Sequence, residues 1–380
     1  MDQGLWAKRM RLALIDVIQS TQDDKWRIRD KKMQHQKAIR VGLIGCGFYA
    51  QNHLHAWDYL KPRGVELVGV CDLDEDKAQR AAKEFGTNFY TNIDKMLALE
   101  DLDLIDIVTQ AEHHKDLAFA VLEKGISAIV QKPFAPTLPE CIEIVDKAKS
   151  SEAWLAVHEN FRFSRVMRCV KEIITSGEIG DLNWGRLTFR TGFDIYKNQP
   201  YLANEKRFSI LDSGIHILDL ARFFFGEVER LHCETQKRNP RVVGEDTATI
   251  MLRHDTGAVT VVETTYQAKR LPDYFPQTLL EIEGTSGSIL LKPDQVITVT
   301  ANNKSYDRVI ETPMLPWFSK EWCVSQEAVL NTNSHLIDCY RQGVDAEISG
   351  RDNLNTFALV EAAYDAASSN GSVQPLRFSG

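Results

Sequence analysis

Four short stretches of this 380-residue chain carry side chains that can move a proton or hold a charge. Gln131-Lys132-Pro133 places an amine just after an apolar run. Thr109 follows a second run, Leu104-Ile105-Asp106-Ile107-Val108, and His158-Glu159-Asn160 follows a third, Trp154-Leu155-Ala156-Val157. Further on, Asp212 and His216 stand four apart, a spacing that puts an acid and an imidazole on one face of a helix. Asp219, three beyond His216, is a second candidate partner for it. An imidazole titrates near about 6.5 and suits proton transfer at neutral pH, whereas an amine starts near about 10.4 and needs its pKa lowered.

The elements that must position these groups begin with a glycine turn. The apolar run Ile39–Ile44 leads into Gly45-Cys46-Gly47-Phe48-Tyr49-Ala50, a helical segment follows from Gln51 to Leu60, and a second run, Val65–Cys71, ends on Asp72. Gly45 permits the tight turn, Gly47 lets backbone N–H groups approach a pyrophosphate, and Ala50 allows close helix–strand packing. The helix N-terminus offers N–H groups to the phosphates. A carboxylate at Asp72 accepts hydrogen bonds from ribose hydroxyls and repels a 2′-phosphate. Since Leu73, Asp74 and Glu75 follow rather than an arginine, NAD is expected over NADP.

Strands alternate with helices from 40 to about 157, with helices expected near 114–124 and 138–149, which argues for a parallel doubly wound sheet. Such a sheet delivers its strand C-termini to a ligand crevice, and these are where Thr109, Lys132 and Glu159 stand. After about 160 the rhythm changes to a helix at 165–176, then strands at 187–191, 247–252, 258–265, 278–283 and 288–292, with Gly284-Thr285-Ser286-Gly287 as a hairpin turn. Helices near 321–341 and 353–368 close the chain. The expected class is α/β, an N-terminal Rossmann sheet at 39–160 followed by an α+β domain at 161–380 with a large, mostly antiparallel open sheet. That second domain is expected to bind substrate and to form an oligomer, with the closing helices free to pack back on the first.

Composition narrows the function. A net charge of −8 argues against a general nucleic-acid binder. Seven scattered cysteines without a CxxC read as reduced thiols of a cytoplasmic protein. No run reaches membrane-spanning length, and Leu12–Ile18 is too short and too charged for a secretory core. Residues 1–38 form a basic extension in which Trp6, Met10, Leu14 and Val17 recur at helical spacing. Such a helix suits a cover for apolar surface, a membrane-surface anchor, or an upstream extension outside the native mature protein. His53-x-His55 and His113-His114 lack further ligands at metal-binding spacing, so no metal is expected.

Taken together these motifs resemble the Gfo/Idh/MocA oxidoreductases, from about Arg40 to the C-terminus. Gly45, Gly47 and Ala50 match the family's glycine turn, and Thr109 and His114 its Thr-Pro-x-x-x-His stretch, with Gln110 in place of Pro. Lys132 and Pro133 match Glu-Lys-Pro with Gln131 in place of Glu. Asn160, Arg162 and Phe163 match Asn-x-Arg-Phe, and Asp212, His216 and Asp219 match the last motif. Phe208-Ser209 stands near where a Gly-Gly pair is common, which bears on pocket shape.

The resemblance implies that Lys132, Asp212 and His216 form the catalytic set and also touch substrate, with Asn160 and Arg162 beside them. It implies that Phe48, Tyr49, Thr109, Gln131, Lys132 and His114 join the glycines and Asp72 around NAD, His114 near the nicotinamide. Alcohol oxidation sends a hydride to nicotinamide and a proton to a base. His216 is the expected base, oriented by Asp212, and Lys132 the expected holder of the reacting oxygen. Gln131 removes a negative charge beside Lys132, so Lys132 is expected to titrate lower than in relatives with Glu and to share the base role. The expected function is NAD-dependent oxidation of a sugar, cyclitol or polyol hydroxyl by a homodimer or homotetramer. The alternatives are an enzyme that uses NAD transiently to cleave glycosides, and a non-catalytic dinucleotide sensor.

Overall fold

A computed structural model describes residues 37–273, 275 and 277–378; the expected helix around Trp6–Val17 lies outside them. The first sheet has six parallel strands: β1 (Ile39–Ile44), β2 (Val65–Cys71), β3 (Asn88–Tyr90), β4 (Leu104–Ile107), β5 (Ser127–Gln131) and β6 (Leu155–His158). Their order is β3-β2-β1-β4-β5-β6. The order reverses between β1 and β4, and that reversal opens the crevice in which such folds bind ligands. Strands β4, β5 and β6 are buried throughout and β1 nearly so, as a sheet covered on both faces requires, whereas the edge strand β3 is largely exposed.

The connecting helices are α1 (Ala50–Tyr59), α2 (Glu75–Phe85), α3 (Ile93–Leu99), α4 (His114–Leu122) and α5 (Leu138–Ser150). Asp74 caps α2 by accepting from Lys77 N, and Asn92 caps α3 by accepting from Lys95 N. Neither of these helices, nor the short strand β3, is expected from the apolar runs alone. The α2 sequence is mostly polar, with only Ala78, Ala81, Ala82 and Phe85 buried, while α3 and β3 are too short to show a period.

The second sheet has eight strands: β7 (Leu182–Arg190), β8 (Val228–Gln236), β9 (Thr247–His254), β10 (Val259–Thr265), β11 (Leu279–Gly284), β12 (Gly287–Lys292), β13 (Val296–Ala301) and β14 (Lys304–Val309). The order is β14-β13-β12-β11-β7-β10-β9-β8. Every neighbour is antiparallel except β7 and β10, which run parallel at its centre. The hairpin expected at Gly284–Gly287 joins β11 to β12.

Helices α6 (Arg165–Thr175) and α7 (Ile215–Phe225) precede the two long closing helices, α8 (Cys323–Gln342) and α9 (Gly350–Ser369). Leu336 and Ile337 of α8 share a core with Leu43, Leu54 and Trp57 of the first sheet and α1. The backbone of β6 meets the start of α9 in a bridge between Ala156 and Ser349. The chain thus returns to its first sheet after completing the second.

Candidate active site

The glycine turn closes as β1 ends. Gly45 has φ +94°, and a Cβ there would collide with the carbonyl of Val108, so this position requires glycine. Around Gly47 a Cβ would meet open space, a hollow that glycine keeps clear. Helix α1 begins at Ala50 without a side-chain cap. Asp72 faces the turn: Oδ2 accepts from Cys46 N at 2.7 Å and Oδ1 from Asp74 N at 2.8 Å. Each oxygen keeps a lone pair for a ribose hydroxyl. The hollow, the uncapped helix end and the carboxylate together fit a dinucleotide.

A cavity of about 500 Å³ lies at the C-terminal ends of the first sheet, roofed by the second domain. Tyr49, Thr109, Gln131, Lys132, Asp212 and His216 all line it. Gly45, Gly47, Ala50 and Asp72 stand at the turn beyond its wall. Phe48, 45% exposed, sets its ring edge against Trp322, with centroids 5.5 Å apart, and Trp322 lines the cavity.

Lys132 reaches across the two domains. Its Nζ donates to Asp212 Oδ1 and to the Asp212 carbonyl, both at 3.0 Å. Asp212 accepts a third bond from Tyr266 OH at 2.6 Å. Burial opposes the Asp212 carboxylate, but Lys132 and the Tyr266 hydroxyl outweigh it and hold the acid below its ordinary range.

Asp212 does not sit on a regular helix. Ile210–Gly214 form a wide π turn that runs into α7. Glu245 fixes its entry by accepting from Phe208 N and Ile210 N, and Tyr364 OH donates to the same carboxylate. Ser209 and Ser213 lock it to Thr264 through buried hydroxyls. The turn sends Asp212 toward Lys132, so Asp212 does not orient His216 as its four-residue spacing suggests.

Glu159 takes that place. Fully buried at the end of β6, it meets His216 Nδ1 through Oε1 in a short hydrogen bond. Phe161 stacks flat on the imidazole, centroids 3.8 Å apart and planes at 2°. Burial pushes the His216 imidazolium well below its ordinary pKa, and the Lys132 charge adds to that effect, against Asp212 and Asp219.

Four expected contacts move. Asp219 pairs with Arg162, Nε to Oδ2 at 2.7 Å and Nη2 to Oδ1, so it is no partner for His216. Arg162 is buried in that pair and donates to the Glu347 carbonyl, which ties the turn after β6 to the closing segment and leaves no fork for substrate. His114 is buried rather than on the cavity wall; its ring nitrogens face the carbonyls of Thr109 at 3.1 Å and Pro133 at 3.1 Å. It holds together the turns that carry Thr109 and Lys132. Asn160 is buried too, and its Nδ2 donates to Tyr49 OH at 3.3 Å, which places it behind the wall.

Gln131 also faces away from the Lys132 ammonium. Its Oε1 accepts from the backbone N of Lys132 at 2.7 Å and its Nε2 donates to His53 Nε2 at 2.9 Å. His53 Nδ1 donates in turn to Asp106, which also accepts from Trp57 Nε1 at 2.7 Å. An amide is the side chain that satisfies both ends of this buried chain. The expected effect of Gln131 on Lys132 titration therefore loses its geometric basis.

Among the described residues no group of three or more His, Cys, Asp or Glu side chains converges as metal ligands. Within the same span, no helix is long and apolar enough to cross a membrane.

The model of the GFO/IDH/MocA oxidoreductase family, NAD-binding Rossmann fold, matches residues 39–159, and that of the family's C-terminal domain matches residues 167–290. The chain belongs to the Gfo/Idh/MocA oxidoreductase family. It is an NAD-dependent oxidoreductase acting on CH–OH groups. A D-apiose dehydrogenase of Paraburkholderia graminis is 40% identical over 339 residues, 89% of this chain and 90% of the relative. Another, of Rhizobium rhizogenes, is 39% identical over 336 residues, 88% of this chain and 97% of the relative. An Agrobacterium radiobacter oxidoreductase solved with NAD+, L-tartaric acid and magnesium matches with TM-score 0.87 and 39% identity, over 89% of this chain and 98% of that one.

Proposed function

We propose that this protein oxidises one hydroxyl of a neutral sugar of the apiose type, passing the hydride to NAD. The observation that carries the reading is the cavity wall, where Lys132 and His216 stand together at the strand ends of a dinucleotide fold. The two D-apiose dehydrogenases, matched over nearly their whole length, support the substrate class.

NAD, when bound, supplies the hydride acceptor. The chain's residues do the rest. Lys132 Nζ holds the reacting oxygen and offsets its developing negative charge. Asp212 and Tyr266 hold that ammonium in place. His216 Nε2 takes the hydroxyl proton, within a cavity lined in part by Phe161, Phe189, Phe275 and Trp322.

Acidic side chains argue for a neutral substrate. Glu112, Glu205 and Asp212 share the wall with Lys132, Lys206 and Arg207, and Arg207 is already paired with Glu361. Burial raises Glu205, with Glu112 and Asp212 adding to it, and the three acids on this side of the cavity disfavour a sugar carboxylate. Self-association through the outward face of the second sheet, where Met251, Leu290 and Val309 are exposed, and a cytoplasmic location for a chain of seven free thiols complete the reading.

The test is a panel of aldopentoses including D-apiose, inositols and sugar acids, scored by initial NADH formation. The reading expects a neutral aldose to lead by kcat/KM. A sugar acid at the head of the panel would contradict it.

A further inference from the structure

Glu159 is fully buried, and among the described residues no lysine or arginine lies within ion-pair distance of it. Oε1 bonds His216 Nδ1, while Oε2 has no hydrogen-bond partner among the described residues. Phe161, two residues on, covers one face of the imidazole. Nε2 is left as the ring's remaining polar atom, on a side chain that lines the cavity. A neutral imidazole has one N–H, and a carboxylate at Nδ1 holds it there, keeping Nε2 as a lone-pair acceptor.

We propose that Glu159 is the positioning residue and proton partner of His216, fixing its Nδ1–H form and receiving that proton when Nε2 takes one from the sugar hydroxyl. This deepens the reading of His216 as base and rests on it. The substrate O–H bond breaks and its proton binds Nε2. The Nδ1–H proton then passes to Glu159 Oε1, leaving a neutral acid beside a neutral imidazole. The pair gains one proton in all, and the two electrons leave the carbon as hydride.

The surroundings favour that end state. Lys132 and Arg162 are the cations facing the pair, Asp212 and Asp219 the anions, and Tyr49 the remaining titratable neighbour. Burial raises the Glu159 carboxyl well above its ordinary range, Asp219 adds to the rise, and Lys132 and Arg162 oppose it. Burial lowers the His216 imidazolium. Both shifts work against a carboxylate–imidazolium pair and toward two neutral partners.

Glu159→Gln tests this. The carboxamide oxygen still accepts from Nδ1–H but takes no proton, so His216 must carry the charge alone. The expected plateau kcat falls about 100-fold with sugar KM little changed. The acid limb of kcat shifts to lower pH, because protonating the variant pair creates a buried cation instead of neutralising an anion. Unchanged plateau and limb, with wild-type NAD affinity, would overturn the proposal. So would 15N shifts of His216 in the NAD-bound wild type that show the Nε2–H form. His216→Asn separates the two readings. Its loss of activity beside an unaffected Glu159→Gln removes Glu159 alone, whereas full activity in both removes the reading of His216 as well.

Discussion

Lys132 and Asp212 meet at 3.0 Å across the two domains, the amine from the end of β5 and the carboxylate from a π turn in the second domain. Neither domain builds this pair alone. Its geometry makes substrate positioning depend on how the domains are held together.

Replacing Lys132 by Met removes the oxygen holder and leaves the half-buried Asp212 side chain with Tyr266 as its one hydrogen-bond partner among the described residues. The account expects kcat to fall by about 10²- to 10⁴-fold with NAD affinity within about threefold. Steady-state kinetics alongside NAD titration checks this.

The two glycines of the turn separate folding from binding. Gly45→Ala forces a side chain into φ +94° and against Val108, and should cost about 2–4 kcal/mol of stability. Gly47→Ala meets no protein atom, so its thermal midpoint should hold while NAD binding weakens at least about tenfold. Thermal denaturation and NAD titration on both variants give the contrast.

Asp72 sets coenzyme choice. Asp72→Asn keeps an amide oxygen for one of the two backbone N–H groups, Cys46 or Asp74, and removes the charge. NAD KM should rise about tenfold, and the preference over NADP should narrow by about as much again. Competition assays with the two coenzymes measure it.

His158 predicts an acid limit to stability. Its Nε2 is bonded to Asn333 at 2.8 Å, and its buried Nδ1 has no partner among the described residues. Burial, with the neighbouring His53 ring second and Asp106 opposing, pushes it down to about 3. The unfolded chain binds a proton there near about 6.5 and the folded chain does not. Stability is therefore complete above that value and falls by about 1.4 kcal/mol per unit as pH drops toward 3. His158→Gln should reduce the pH slope of denaturation by about one proton over that window.

Much of the site was readable because chemistry sat at strand ends. The glycine turn, Asp72 and Lys132 follow apolar runs directly, so their places follow from the strands. Pairings across the fold were not readable. Asp212 and His216 share a helical spacing, yet the π turn, held by Glu245 and Thr264, breaks their register, and no local signal marks it. Glu159 was in view as a strand-end residue, but its partner lies 57 positions away. Arg162 and Asp219 each looked like a site residue and are instead partners of each other. Strand β14 reads Lys-Ser-Tyr-Asp-Arg-Val and exposes every residue, so it offers no alternation to detect. Tyr266, just past the end of β10, carries no motif at all.

The central claim is that the Lys132–His216 cavity performs net oxidation of a sugar hydroxyl with NAD. The most direct measurement follows the best sugar of the panel, deuterated at the carbon to be oxidised, and counts reduced coenzyme per sugar consumed. The account predicts one deuterated NADH for each sugar oxidised, lost in Lys132→Met. Sugar turnover without accumulating NADH, as a transient glycoside-cleaving cycle would give, or coenzyme binding with no turnover of any sugar, would contradict it.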